Sequence, residues 1–305
     1  VKPGELLMLL LLGLIWGSSF LFIKLGVAEV PPLLLAEIRV TSATLLLLAV
    51  LRWRGQGLPR DRRFWAQLAL VGLINNVLPF TLIPWGEQHI ASGLASILNA
   101  TMPLFTVLLA HFWSINERLN LSRVTGVAVG FVGVLVLIGA DLADLTRAST
   151  QGELAVIAAA VCYAIATIYA RRHLHGHPPM LLATGQLSMA ALWLLPLVAI
   201  GVRPLPPMPS PIALGSILTL GLLGSGIAYL IYYWLIARIT ATQLSLVTYL
   251  LPITAVFWGA ALLGERVGAQ TFAGMALILA GIMLVNGAGQ GIARRAVGWA
   301  TALRS

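Results

Sequence analysis

Apolar runs of about 20 residues recur along almost the whole chain, each ended by a short break rich in charge, Pro or Gly. A run of about that length is what an α-helix needs to cross the hydrocarbon core of a bilayer. The breaks place helices near residues 5–26, 32–51, 64–85, 91–113, 121–139, 152–171, 179–200, 211–236, 241–263 and 270–288. Ten such spans account for most of the 305 residues, and the connections between them are short. Composition agrees: 59% of the residues are hydrophobic and 10% charged, where a soluble domain carries about a quarter charged residues. The expectation is an all-α polytopic membrane protein, and a soluble enzyme or nucleic-acid-binding domain is excluded. The run from Leu6 to Val27 is longer than the core of a secretory signal and reads as a retained first helix. The single Cys162 rules out an intrachain disulfide.

The net charge of +9 is an orientation signal. One side of the ten-helix arrangement collects Lys2, Arg52, Arg54, Arg60, Arg62, Arg63, Arg118, Arg123, Arg171, Arg172, Arg238, Arg294, Arg295 and Arg304. The other holds only Lys24, Arg147, Arg203 and Arg266, and Arg39 falls inside the second helix. Basic residues in short connections mark the cytoplasmic side, so both termini are expected there. No soluble face concentrates the arginines, so nucleic acid is not an expected partner.

The two halves of the chain resemble each other. Pro31-Pro32 recurs as Pro178-Pro179 at a shift of 147, which pairs Trp16 with Tyr163 and Lys24 with Arg171. Gly72-Leu73 recurs as Gly221-Leu222 at a shift of 149, aligning Trp85 with Trp234 and Pro103 with Pro252. Glu117-Arg118 matches Glu265-Arg266 at a shift of 148, and the match continues through Gly126/Gly274, Gly133/Gly281 and Gly139/Gly287. Residues 5–139 and 152–288 are therefore two repeats of five helices, with 289–305 a cytoplasmic tail. Five is odd, so the second copy enters the membrane upside down. The connection after helix 2 holds five arginines and its counterpart after helix 7 only Arg203, as inversion requires. Inverted repeats are a transporter architecture, with the substrate site near the midplane between the halves.

Trp16-Gly17 in helix 1, Lys24 at its close, Pro103 in helix 4 and the two Glu-Arg pairs, set in this repeat layout, resemble the drug/metabolite transporter superfamily. Within it the chain is most similar to the EamA family, the YddG-type amino-acid exporters in particular. The resemblance covers about residues 8–288. It implies a bacterial inner-membrane exporter of amino acids or related metabolites. It also implies a central cavity lined by helices 1, 3, 4, 6, 8 and 9.

Polar residues inside the spans give the candidate substrate path. Helix 4 carries Ser92, Ser96, Asn99 and Pro103 on one stripe, and the repeat carries Ala241, Ser245, Thr248 and Pro252 at the same spacing. Such stripes either pack helices closely or face a wet path. Asn99 is costly to bury in lipid and is assigned to the path with Ser96, Ser245 and Thr248. Helix 3 offers Asn75, Asn76 and Phe80, and helix 8 Ser225 and Tyr229; adjacent asparagines need an interior partner. Tyr233 lies near the helix end and is read as part of an interfacial belt. Helices 1 and 6 contribute Trp16, Ser19 and Phe20, and Tyr163 and Thr167. Pro103 and Pro252 are read as symmetric hinges.

No Asp or Glu falls near the midplane, which disfavours proton-driven export of cations. Glu37 and Arg39, less than two turns into helix 2, are read as snorkelling outward or pairing with neighbours. Lys24 and Arg39 are too few for a sugar-phosphate path. The expected substrate is a neutral or zwitterionic small molecule, aromatic amino acids included, moving down its gradient by alternating access. Other small metabolites or drugs, a lipid flippase and a membrane-embedded enzyme are the alternatives. His89 and His111 lie at opposite ends of their spans and form no catalytic cluster. His173, His175 and His177 read as solvated loop residues, so neither metal nor cofactor is expected. The two Glu-Arg pairs are expected to fix loop geometry through ion pairs. The glycines of helices 5 and 10 mark close contacts, within one chain or between protomers, and a monomer suffices for the reading.

Overall fold

The computed structural model describes residues 2–113, 120–138, 145–239 and 241–286. It is all-helical over these residues, with the order α1 (Pro3–Val27), α2 (Pro32–Trp53), α3 (Arg62–Glu87), α4 (Ser92–Trp113), α5 (Leu121–Ile138), α6 (Ala148–His173), α7 (Pro179–Gly201), α8 (Pro211–Leu235), α9 (Leu246–Leu263) and α10 (Ala269–Val285). The first nine are long and apolar enough to span a bilayer, and α10 is a shorter apolar helix. Glu117, Arg118, Gly139, Gly287 and the tail 289–305 lie outside the described residues.

The ends of the helices follow local chemistry. Pro32, Pro179 and Pro211 each start a helix at its first position, where proline's missing N–H costs nothing. Asp61 caps α3 by accepting from the Arg63 amide, and Ser210 caps α8 by accepting from the Ala213 amide. Gly264 stops α9 with a left-handed φ of 65°, a conformation glycine adopts without steric cost.

Contacts between helices run mainly across the repeats. The most extensive contacts are α5 with α10, α3 with α6, α1 with α8 and α1 with α9. In the α5–α10 pair Gly126 meets Gly281 and Gly133 meets Gly274, although Gly126 corresponds in sequence to Gly274 and Gly133 to Gly281. Equivalent positions exchanged in this way describe an antiparallel contact about a local twofold. The glycine-rich faces are thus covered within the chain. On α1, a Cβ at Gly17 would collide with the Thr254 hydroxyl, and one at Gly13 would lie 2.7 Å from Leu250. These two glycines seat α9 against α1.

Three spans depart from straight helices. In α3 the backbone loosens into a π-helical segment, Leu73–Val77, and in α8 into another, Leu220–Ile227. The shift of 149 superposes the two. π-Segments are rare inside helices and are frequent at functional sites. In α4 the helix breaks at Ala100–Thr101, between Ser92–Asn99 and Met102–Trp113, immediately before Pro103. The corresponding break before α9 falls at Ser245, after the single turn Ala241–Leu244, while Pro252 lies inside the continuous Leu246–Leu263 helix. The continuous helices expected over 91–113 and 241–263 are therefore each divided. The two prolines also differ in setting: Pro103 follows its break, and Pro252 sits two turns beyond the other.

Candidate functional site

The π-segments bring a polar cluster to the interface of the two repeats. Arg39 of α2 is only 7% exposed. Its Nε donates to the Ser225 hydroxyl at 2.9 Å, and its guanidinium lies 3.8 Å over the Phe80 ring, a cation–π arrangement. Opposite it, Gln186 of α7 donates to the Tyr229 hydroxyl at 3.4 Å. The repeat shifts relate these pairs: Arg39 corresponds to Gln186 and Phe80 to Tyr229. At equivalent positions, then, a cation lies over one aromatic ring and a neutral amide donates to the hydroxyl of the other.

Around this pair stand several residues of the expected path. The Trp16 indole N–H donates to the Gly224 carbonyl in the α8 π-segment at 3.1 Å, and its ring lies 5.7 Å from that of Tyr232. Asn75 and Asn76 face the Tyr229 hydroxyl. Neither atom of the fully buried Asn76 amide forms a hydrogen bond of ordinary geometry among the described residues. Tyr163 packs between the two largest apolar clusters, close enough to Arg39 to sense its charge. Trp16, Asn75, Asn76, Phe80, Tyr163, Ser225 and Tyr229 therefore converge, although they come from four spans.

Other members of the path stand apart. The Ser19 and Thr167 hydroxyls bond carbonyls one turn back on their own helices, Ile15 and Tyr163. Phe20 belongs to the apolar core. Ser96 is buried and Asn99 half-buried, with the Ser96 hydroxyl and the Asn99 carbonyl oxygen making no hydrogen bond among the described residues. Ser245 accepts from the Asn286 amide at 3.5 Å, and Thr248 is half-buried on α9.

A cavity of about 780 Å³ opens at the end of the molecule where α1 begins and α2 ends, lined by Leu7, Met8, Arg54, Met180, Tyr233 and Arg238 among others. Its walls come from α1, α7, α8 and the ends of α2 and α8, a different helix set from the one the resemblance implied. Tyr233 lines this cavity and stacks on Tyr229, with ring centroids 5.9 Å apart and planes 13° apart. The Tyr229–Tyr233 pair thus separates the cavity from the Arg39 cluster, and Tyr233 is a wall residue as well as lying near a helix end.

The opposite end is tied shut. Lys24 donates to the backbone carbonyls of Glu87 and of Ile90, the latter at 2.8 Å, and the Glu87 side chain is fully buried beneath it. The Glu265 carboxylate accepts from the Ser92 amide at 2.7 Å, the Ser92 hydroxyl at 3.0 Å and the Gly93 amide at 3.2 Å. Glu265 therefore fixes its loop as a helix cap, with the Ser92 and Gly93 amides and the Ser92 hydroxyl as partners; the Glu117-Arg118 pair lies outside the described residues. The Glu29 carboxylate accepts from the Ser210 amide at 2.7 Å and hydroxyl at 2.6 Å. Those bonds hold the Glu29 carboxyl below its ordinary value, the hydroxyl bond contributing most. The last two ties join one repeat to the other.

Gln186 and Glu29 are not among the residues the sequence marks, and Arg39 and Glu265 are marked there without their partners. Arg39 was visible as a charge inside a span, but its partners come from α3 and α8. Of the two readings it does not snorkel outward but pairs with neighbours, Ser225 and Phe80, and it forms no ion pair among the described residues. The loop histidines part company: His173 stacks on Tyr169 at 4.3 Å and His177 meets Phe64 at 4.6 Å. No group of potential metal ligands occurs among the described residues.

Ten apolar helices, packed as two interleaved sets around a polar centre, define a polytopic membrane protein of the transporter class. The EamA-like transporter family matches twice, at residues 3–139 and 150–287, and the chain belongs to that family. The "Uncharacterized inner membrane transporter YedA" of Escherichia coli (strain K12) is 30% identical over 277 residues, 90% of this chain and 87% of its own. A "Probable terminal-alkyne amino-acid exporter" of Streptantibioticus cattleyicolor is 30% identical over 277 residues, 89% of each chain. A solved crystal structure shares the fold at a TM-score of 0.67 and 22% identity, covering 97% of this chain and 99% of its own.

Proposed function

We propose that this transporter exports neutral amino acids, aromatic ones included, and related metabolites across a bacterial inner membrane by alternating access. The observation that carries the reading is the aromatic and amide cluster at the repeat interface, set between a cavity at one end and cross-repeat ties at the other. Trp16, Phe80, Tyr163 and Tyr229 offer apolar faces for a side chain, and Asn76, Ser225 and Gln186 offer polar handles. The exporter relative at 30% identity supports the substrate class. The excess of Lys and Arg on one side supports a cytoplasmic cavity end and cytoplasmic termini, which reads this conformation as inward-open. The five-helix repeats 5–139 and 152–288 rock against each other about the cluster.

Among the described residues no acid hydrogen-bonds a member of the cluster, although the buried Glu87 lies near enough to Arg39 to interact electrostatically; facilitated movement down a gradient is the simplest reading. The test is counterflow in proteoliposomes loaded with neutral amino acids. Uptake of labelled phenylalanine, leucine or alanine against the matching internal pool is expected. Failure of the whole amino-acid panel while sugar phosphates exchange overturns the reading.

A further inference from the structure

We propose that the Arg39 guanidinium is the binding group for a carboxylate on the transported solute. The inference deepens the amino-acid reading and rests on it for the identity of that solute. Four observations carry it. First, the hydrogen bond Arg39 makes among the described residues is from Nε to Ser225. Its two terminal nitrogens have no protein acceptor there, although arginine presents five donors in a fork that matches a carboxylate. Second, no carboxylate forms an ion pair with Arg39 among the described residues. Glu37, on the same helix, accepts from Thr41. Glu87 senses Arg39 electrostatically, but its oxygens make no hydrogen bond among the described residues. A buried charge without a partner is strongly disfavoured.

Third, the repeat shows what packing alone needs. At the equivalent position the neutral Gln186 side chain contacts Tyr229, donating to its hydroxyl. The fold is served by an amide there, so the charge at Arg39 answers to something else. Fourth, the route is cationic. Arg54 and Arg238 line the cavity, no acid is among its lining residues, and Arg39 is the cation of the cluster above it. Fields of one sign in a low-dielectric cleft raise the local concentration of the opposite charge.

Arg39 is the cluster's cation, and no carboxylate hydrogen-bonds any member of the cluster among the described residues, so the site recognises the carboxylate and not the amino group. Acids without an amino group should therefore bind as well as amino acids, and amides and amines should not. Binding to the purified full chain, followed by intrinsic tryptophan fluorescence, tests this with phenylalanine, 3-phenylpropionate, phenylalaninamide and phenethylamine. Wild-type protein should bind the two acids at least tenfold tighter than the amide or amine. Arg39→Gln should remove that preference, and Arg39→Lys should restore part of it. Ser225→Asp supplies Arg39 with a permanent carboxylate within the fold, and should also abolish acid binding if Arg39→Gln fails to fold.

A wild-type protein with no acid preference, or a folded Arg39→Gln or Ser225→Asp variant that retains it, overturns the proposal. The two readings separate cleanly. Arg39-dependent binding of 3-phenylpropionate without amino-acid counterflow keeps the site and removes the amino-acid substrate. Amino-acid counterflow with an unchanged acid preference in Arg39→Gln does the reverse.

Discussion

Gly126 of α5 and Gly281 of α10 touch through their backbones: a Cβ on Gly126 would lie 2.7 Å from the Gly281 carbonyl oxygen, and one on Gly281 would lie 2.6 Å from that of Gly126. The neighbours are backbone atoms, so neither helix can yield by turning a side chain. Alanine at either position should force the helices apart and cost about 1–3 kcal/mol, the usual range for overpacking. Thermal melting in detergent checks it, with Gly215→Ala as control, because a Cβ there meets nothing within 4 Å. Equal melting of all three variants would contradict the close contact.

Glu265 caps α4 through three donors of Ser92 and Gly93. A carboxylate at a helix N-terminus also gains from the helix dipole. Glu265→Ala should lower stability by about 1–2 kcal/mol, the range for a lost cap. It should also raise the reactivity of a cysteine placed at Ser92, which is fully buried in this conformation. Unchanged reactivity would show that the cap does not hold this end closed.

The Glu29–Ser210 tie predicts an acid dependence. Its carboxyl is held below the ordinary 4.5 in the folded protein. A depressed folded value stabilises the structure above the unfolded value, and that contribution is lost as pH falls through the lower folded value. Melting temperature should therefore drop below about pH 4.5, and Glu29→Gln should flatten that part of the profile. Identical acid limbs in both proteins would remove Glu29 from the account.

Tyr233→Ala should open the roof between the cavity and the cluster, since Tyr233 both lines the cavity and stacks on Tyr229. Collisional quenching of Trp16 fluorescence by iodide, measured in a variant keeping that tryptophan alone, should then increase. No change in quenching would place the barrier elsewhere.

Much of this architecture is written in local sequence. Apolar run length marks the spans, and the glycines of α5 and α10 mark a close contact, because both depend on residue type and spacing alone. Whether those glycines met within the chain needed the fold. The break at Ser245 was hidden, because Pro252 drew attention to a position where the helix continues. The π-segments at Leu73–Val77 and Leu220–Ile227 depend on packing across repeats and leave no composition signal. Asn75, Asn76, Ser225 and Tyr229 were legible as polar residues that lipid would not accept. Arg39 was legible as a charge, but its meeting with Ser225 and Phe80 depends on how α2 lies against α3 and α8.

Alternating access requires the tied end to open for solute to cross. Residues 29 and 210 join the repeats there, and Cys162 is the chain's single cysteine. A Glu29→Cys/Ser210→Cys variant in a Cys162→Ala background can be bridged by a short, cleavable thiol reagent in proteoliposomes. Bridging should abolish phenylalanine counterflow, and cleavage of the bridge should restore it. Full counterflow through the bridged protein would contradict alternating access at this end.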